Sequence, residues 1–484
     1  MVSDSYTLRK QDSLLFLIQS LTPNERRYFK LYSNIQPGDK NYLQLFDALE
    51  NKERYDAAEL SKELKRTKRQ ITDDKYYLTK NLLQSLRNYD SESTQLMQLM
   101  NDRENVRILF RRRCFDLALD FADKALERAT YLEAFEIVDD LLMLHSRCQI
   151  VMSRYARDLN IAKLRQKNNE RLQELFAMLE LSNEARKLSG QGAKPGLFDK
   201  LLKHPLLKGD VNDLLSLRSK LLYYEVFLCY HQCCFNQQAV VQVNRDERLL
   251  FERHPALRII SPVGYVGNGL RLGSSEVWLG NYEAAIAVLE QVENDLQAGE
   301  LDLSPQQLLS MQFNAGMFKL WPLRHLERYA EALKLSKVLE LQVANRSEPD
   351  QYNVLFEHTL ALLLAGRAAE AADKLEGLKR FKAEVRSDMQ PYAQMMGVMI
   401  QLDLGNYRLL PHLIKTTRWW LKKQGVKYEE FSTFLTHAAA LAGKALNRKP
   451  DWSKMLEAEQ AGKFATMNKL IQFNLWLSRV SKRR

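Results

Sequence analysis

Four turns recur at near-regular steps in the second half of this 484-residue chain, and they limit its fold more than any other feature. Each turn has Gly or a polar residue after a helical segment, then an aromatic residue or Ala, then Ala or Leu in the returning segment. Gly releases a helix into a tight turn, and Ala lets two helices approach closely. The turns begin at Gly280, Glu327, Gly366 and Gly405. This pattern predicts pairs of helices stacked as a repeat array.

The steps between the turns are 47, 39 and 39 residues. A tetratricopeptide (TPR) repeat takes roughly 34 residues, so the helices of this array are expected to be longer. Straight-chain helix formers dominate the rest of the sequence, and no segment alternates convincingly with period two. We therefore predict an all-α fold, a TPR-like helical-repeat solenoid preceded by a small helical N-terminal domain.

Local signals divide the chain further. Thr22-Pro23-Asn24-Glu25 has the residues of a helix N-cap, and the Gly-rich segment 189–196 is the clearest hinge. The predicted segments are an N-terminal helical domain (1–90), helix pairs with a long amphipathic arm (91–188), a hinge loop (189–211), TPR-like repeats (212–440) and a basic C-terminal helical cap (441–484).

Cysteine usage and hydropathy predict the compartment. The five cysteines are odd in number, and three of them crowd into one apolar segment, which favours a reducing environment. No secretion signal is visible, and no apolar stretch approaches the roughly 18 residues of a membrane span. These observations predict a soluble cytoplasmic protein without a membrane partner.

The net charge of +11 comes from the end of the chain. Residues 404–484 contain 16 Lys and Arg against 5 Asp and Glu, so the preceding residues are formally neutral. Helical spacing brings several of these cations to one flank of a helix, which predicts a positive surface for an acidic partner, either protein or nucleic acid. The alternative is an ordinary solvated face. The predicted surface consists of Lys415, Arg418, Lys422, Lys423 and Lys427.

Two segments are consistent with the alternative hypothesis that the protein binds nucleic acid. Arg418-Trp419-Trp420-Leu421-Lys422-Lys423 interleaves aromatic rings with cations. A basic link joins two N-terminal helices in an arrangement like a helix-turn-helix. Against this second interpretation, the following helix is expected to open with Asp73-Asp74, which would present the wrong charge to phosphates, and the turn has no Gly. The cations of the link are Lys62, Lys65, Arg66, Lys68 and Arg69.

A protein partner could instead bind along the repeat groove, where apolar, adaptable side chains are suited to contact it. The alternative is ordinary packing inside the stack. The predicted groove residues are Phe356, Leu360, Met395 and Met399.

Catalytic chemistry has little support. Cys229, His231, Cys233 and Cys234 are residue types that can bind a metal, but only Cys229 and Cys233 share a helix face. The three cysteines are therefore interpreted as structural thiols. The segment 267–273 looks like a dinucleotide loop, although its last spacing is too long and no βαβ unit surrounds it, so close helix packing is preferred. We therefore predict that the protein is not an enzyme and that it binds neither a metal nor a cofactor.

Four segments together resemble a TPR-like all-helical family of Bacteroidetes bacteria: Leu21–Leu31, Gly38–Asp47, His204–Leu207 and Leu404–Tyr407. The resemblance spans nearly the whole chain. It implies a cytosolic all-helical architecture with an N-terminal helical module and a TPR-like body, and it implies no catalytic residue. The cysteine-rich segment and Trp419-Trp420 do not belong to the shared pattern.

These observations together predict a non-catalytic protein-interaction scaffold that binds its partner through a TPR-like surface. The alternative is a nucleic-acid-binding or regulatory protein that uses the basic N-terminal link or the basic C-terminal region. No small-molecule substrate is indicated.

Overall fold

The computed structural model describes residues 13–35, 40–52, 54–90, 94–152, 161–192, 195–344, 346–426, 428–445 and 450–482. Within these ranges all regular elements are helices and no strand occurs, which confirms the all-α prediction. None of the helices in these ranges combines the length and the apolar character that a membrane span requires.

Five helices near the N-terminus surround a core of their own. The predicted cap is present, because the Glu25 N–H donates to Thr22 Oγ1 at 3.2 Å and the Thr22 N–H donates to the Glu25 carboxylate at 2.6 Å. Leu15, Phe29 and Phe46 are fully buried in this core. The sequence Gln36-Pro37-Gly38-Asp39 indicates the end of the helix that begins after Thr22, and these residues lie outside the described ones. The helices are α1 (Ser13–Ser20), α2 (Pro23–Ile35), α3 (Asn41–Glu50), α4 (Ala57–Glu63) and α5 (Lys68–Tyr89).

Helix α5 begins earlier than its apolar pattern indicates. The sequence places a polar link at 66–70 and the first apolar helical residue at Ile71, whereas the helix starts at Lys68. Thr67 is the cap, because its hydroxyl accepts from the Gln70 N–H at 3.3 Å and the Gln70 side chain accepts from the Thr67 N–H at 2.9 Å. A capping box therefore fixes this start, three residues before the periodic apolar residues begin.

The segment predicted as a hinge loop, 189–211, includes two short α-helices. Phe198, Leu201 and Leu207 of this segment are buried in one core with Met178 and Val226, which lie on the helices before and after it. Much of this segment is therefore packed structure. The helices that follow α5 are α6 (Gln95–Arg111), α7 (Phe115–Tyr131), α8 (Phe135–Val151), α9 (Ile161–Gly190), α10 (Phe198–Leu202), α11 (Pro205–Lys208) and α12 (Leu217–Cys233), with 3₁₀ turns at Pro195–Leu197 and Val211–Asp213.

The chain divides into two compact units, and the predicted hinge lies inside the first. The first unit comprises Met1–Phe235, Leu249–Tyr265 and Leu301–Leu308, and the second comprises Asn236–Arg248, Val266–Glu300 and Leu309–Arg484.

The remaining helices follow in chain order, and those from α18 onward belong to the second unit. They are α13 (Gln237–Arg253), α14 (Ala256–Ile260), α15 (Pro262–Leu279), α16 (Tyr282–Ala298), α17 (Pro305–His325), α18 (Tyr329–Gln342), α19 (Glu348–Leu364), α20 (Ala368–Leu378), α21 (Gln390–Asp403), α22 (Leu410–Lys423), α23 (Glu429–Ala445), α24 (Ser453–Gln460), α25 (Ala465–Ile471) and α26 (Phe473–Ser481).

All four predicted turns end a helix in the same way. Gly280, Glu327, Gly366 and Gly405 have φ values of 83°, 57°, 80° and 71°, in the left-handed region. At Gly366 the N–H donates to the Leu363 carbonyl at 3.1 Å, and the following N–H donates to the Leu362 carbonyl at 2.9 Å. These paired bonds form a Schellman motif, which explains why Gly occupies three of the four positions. Consecutive helices from α18 to α23 pack against each other.

The segment that looks like a dinucleotide loop lies within α15. A Cβ atom on Gly269 would lie 2.4 Å from Val292 Cγ2, and one on Gly273 would lie 2.7 Å from Leu289 Cγ. Both of these neighbours belong to α16. The two glycines therefore let α15 and α16 approach closely, as the packing interpretation of this segment predicts.

Candidate interaction surface

Helix α22 has one buried and one exposed face. Its inward positions are Leu410, Ile414, Thr417 and Leu421, all buried. Gly425 ends the helix with a φ of 69°. Because each helical residue turns by about 100°, these inward positions at spacings of three and four leave the opposite face to solvent.

Four cations occupy the exposed face, as the sequence predicts. Lys415, Arg418, Lys422 and Lys423 are all exposed. Lys415, Arg418 and Lys422 are three and four residues apart and form one stripe. Arg418 donates to Thr436 Oγ1 at 3.1 Å. Within the described ranges, none of the four has a carboxylate oxygen at ion-pair distance.

This lack of partners follows from the local sequence, because residues 404–428 contain no Asp or Glu. The carboxylate just before this stretch, Asp403, is paired with Arg479. After the stretch, Glu430 accepts from the Met467 N–H at 3.1 Å. The helix C-terminus favours Lys422 and Lys423 in its last turn, but it does not account for Lys415 and Arg418.

The two adjacent tryptophans point in different directions. Trp420 packs against the core of the second unit, whereas Trp419 is 62% exposed. Lys423 Nζ lies 5.2 Å from the centre of the Trp419 ring, within the range of a cation–π contact. An exposed ring beside unpaired cations gives this surface both apolar and electrostatic binding capacity. We call the exposed face of α22, from Lys415 to Lys423, the cationic face.

The structure does not bring the other predicted partner-binding residues to this surface. Phe356 and Leu360 on α19, and Met395 and Met399 on α21, are at most 1% exposed and lie in the core of the second unit. The prediction that they line a groove needs correction, because neighbouring helices already cover their side chains. Lys427 lies outside the described residues.

The cysteine-rich segment lies at the end of α12. Cys229 is buried in the core that also contains Phe198, and Cys233 packs against it. The His231 ring lies near the rings of Phe227 and Tyr230, and burial lowers the pKa of His231. Among the described residues, no group of three or more His, Cys, Asp and Glu side chains is arranged to hold a metal ion.

The basic N-terminal link forms a second cationic cluster, in the first unit. Lys62, Lys65, Lys68 and Arg69 are exposed, whereas Arg66 is partly buried and pairs with an aspartate. Helix α5 also exposes two tyrosines, Tyr76 and Tyr77, which the sequence did not indicate as binding residues. Tyr76 lies seven residues after Arg69, so this spacing could have indicated that Arg69 and Tyr76 share a helix face.

No protein-family model, curated protein or solved structure matches this chain. The resemblance to a TPR-like family of Bacteroidetes bacteria therefore stays a prediction.

Proposed function

We propose that this chain is a non-catalytic binding protein of the cytoplasm, and that it holds an acidic segment of a protein partner on the cationic face of α22. One observation supports this above all. Four cations are exposed beside Trp419 with no carboxylate partner among the described residues. Exposed charges of one sign attract a partner of the opposite sign and orient it.

The helix pairs fit the role of a scaffold. Four Schellman turns at similar steps and the packing of consecutive helices support a TPR-like repeat arrangement in the second unit. In such an array each helix packs on its neighbours, and the outward faces are available to partners. The cationic face is one of these outward faces.

A protein segment suits this face better than a nucleic acid does. Trp419 and Leu409 are 62% and 59% exposed, so apolar surface lies beside the charges. Trp and Arg are the residues that most often dominate protein interfaces. A segment that combines Glu or Asp with apolar residues could satisfy both features. Nucleic-acid bases could also stack on Trp419, and the experiment includes this outcome.

The test begins with selection of random displayed peptides on the immobilised full-length chain. We expect the selected peptides to be rich in Asp or Glu together with apolar residues. Their affinity is then measured by fluorescence anisotropy for the wild type and for a variant with Lys415, Arg418 and Lys422 changed to Ser. Three exposed charge pairs of about 0.5 kcal/mol each predict roughly tenfold weaker binding by the variant.

A matched control changes Lys334, Lys337 and Lys454 to Ser, since these are also exposed cations of the second unit. It should bind the peptide as the wild type does. Selected peptides without acidic enrichment, or equal loss in both variants, would contradict the proposal. Tighter binding of a single-stranded oligonucleotide, with affinity falling steeply as salt rises, would favour the nucleic-acid alternative.

A further inference from the structure

Helices α4 and α5 are joined by a short turn that two hydrogen bonds close. The four residues Leu64 to Thr67 separate them, and Lys65 has a φ of 52°, the left-handed conformation that Gly more often adopts. The Ser61 hydroxyl donates to the Arg66 carbonyl, and the Arg66 N–H donates to the Ser61 carbonyl at 3.0 Å. The turn therefore has a defined geometry without Gly, which removes one sequence argument against a helix-turn-helix.

Three acidic side chains near this turn, Glu59, Glu63 and Asp74, are engaged in ion pairs, whereas Asp73 near the start of α5 is exposed. Arg66 Nη1 lies 2.7 Å from Asp74 Oδ2, and Asp74 is only 9% exposed. Lys52 Nζ lies 2.7 Å from the Glu59 carboxylate and 2.8 Å from that of Glu63. Asp74 therefore faces the turn, whereas the sequence alone suggested that it would repel phosphates.

Cations remain exposed around the turn and along α5. Lys62, Lys65, Lys68 and Arg69 are exposed and have no ion-pair partner within the described ranges. Their positions surround the start of α5 and the end of α4. This part of the first unit is therefore positively charged towards solvent.

A single outward stripe continues along α5. Arg69, Tyr76, Lys80 and Arg87 are separated by seven, four and seven residues, so they lie within about 40° of one another around the helix. All four are exposed, and Tyr76 is 68% exposed. The opposite face is buried through residues such as Ile71, Leu78 and Leu82. One side of α5 thus belongs to the core, and the other offers cations and hydrogen-bonding groups.

We propose that α4 and α5 form a helix-turn-helix that binds duplex DNA, with the exposed face of α5 in the major groove. A major groove about 12 Å wide admits one α-helix, and phosphates on both sides would meet the cations at the turn. Arg69, Thr72, Asp73 and Tyr76 follow one another on the first exposed turns of α5.

These four side chains can also make hydrogen bonds to base edges. Arg matches guanine, and an exposed carboxylate such as that of Asp73 can accept from the cytosine amino group. Double-stranded RNA fits poorly, because its major groove is too deep and narrow for side chains to read. This proposal concerns the first unit and does not depend on the function proposed for α22.

The experiment uses the full-length chain and a pool of random duplex DNA. Bound duplexes are enriched over several rounds, and the affinity for the selected duplex is measured across a salt series by fluorescence anisotropy. A variant with Lys68, Arg69 and Lys80 changed to Gln should bind at least tenfold more weakly. For this variant, the slope of log affinity against log salt concentration should be smaller in magnitude by about 0.9 for each phosphate contact that is lost.

Two further variants separate DNA binding from a general effect of charge or misfolding. Changing Lys124, Lys167 and Lys200 to Gln removes three exposed cations elsewhere in the first unit and should leave binding unchanged. Arg69→Lys keeps the charge, so it should preserve binding to unrelated duplexes but weaken binding to the selected one about tenfold. Circular dichroism should show wild-type helix content for every variant.

No duplex binding by the wild type at low salt would overturn the proposal. Duplex binding that the α5 variant retains, or that is lost only when Lys415, Arg418 and Lys422 are changed, would overturn it as well.

Discussion

Helices α17 and α22 each carry an arginine, and the two side chains have opposite surroundings. Arg324 is 1% exposed, its Nε donates to Glu357 Oε2 at 2.8 Å, and its Nη1 donates to the Gln472 side chain. Arg418 is exposed, and among the residues that the structure describes it donates only to the hydroxyl of Thr436. A buried cation must be paired, because leaving it unpaired costs several kcal/mol, whereas an exposed cation needs no partner. The first arginine therefore belongs to the architecture, and the second is available to a partner.

The first unit repeats this contrast within three residues. Arg66 is paired with the nearly buried Asp74, whereas Arg69 is exposed and unpaired within the described ranges. The sequence shows two equivalent arginines here. Only the position of each side chain around the turn and helix separates the structural role of Arg66 from the binding role proposed for Arg69.

The largest expected effect is that of Arg324→Ala. This change leaves Glu357 without its cation and opens a cavity, so we expect the second unit to lose about 3 kcal/mol or more of unfolding free energy. All six tryptophans lie in the second unit, so urea denaturation followed by tryptophan fluorescence measures it. The matched change Arg418→Ala should alter stability by no more than about 0.5 kcal/mol. Equal losses of unfolding free energy in the two variants would contradict the distinction between the buried Arg324 and the exposed Arg418.

The next effect concerns His325, beside Arg324. Its ring stacks on Tyr282 with centres 4.3 Å apart. Burial, and secondarily the charge of Arg324, lowers the pKa of His325 to about 4. In the unfolded chain the pKa is about 6.5, so between these values the unfolded state binds the proton and the folded state does not.

Stability of the second unit should therefore fall as pH drops from about 6.5 to about 4, by up to about 3 kcal/mol from this residue. Urea denaturation of the wild type and of His325→Gln across this range isolates the effect, since other titrating groups are common to both. The difference between the two proteins should be constant above pH 6.5 and change below it. A constant difference throughout would show that the histidine titrates normally in the folded chain.

The smallest effect sharpens the contrast inside the first unit. Arg66→Gln removes the partner of a nearly buried carboxylate and should destabilise α4 and α5 by about 1 to 2 kcal/mol. Arg69→Gln makes the same charge change on an exposed side chain and should cost less than about 0.5 kcal/mol. Hydrogen exchange measured by mass spectrometry on peptides from α4 and α5 gives the comparison. Faster exchange in Arg69→Gln than in Arg66→Gln would reverse the assignment.

Local signals made part of this molecule predictable. The turns at Gly280, Gly366 and Gly405 follow from a residue that tolerates positive φ, and the start of α2 follows from Thr22 and Pro23. The exposed cations of α22 follow from helical spacing, since its apolar residues occupy one face. Each of these signals lies within a few turns of one helix.

The sequence did not predict the features that depend on residues far apart in the chain. Phe356 and Met399 lie on helices that are apolar nearly all around, so periodicity could not indicate that neighbours cover every face. Arg324 pairs with Glu357 and with Gln472, which is 148 residues away in the sequence. The sequence indicates that Asp74 would face phosphates, because nothing in its own helix reveals the ion pair with Arg66 in the preceding turn.

The glycines of α15 determine which side of that helix faces α16, as well as the distance between the two helices. Gly269 and Gly273 are four residues apart, so they form a shallow notch on one face, opposite Val292 and Leu289. Inserting one residue just before Gly269 would turn residues on one side of the insertion by about 100° relative to the other. The notch would then lose its alignment with the preceding half of α15. This helix should therefore tolerate many side-chain substitutions on its exposed face but no change in length.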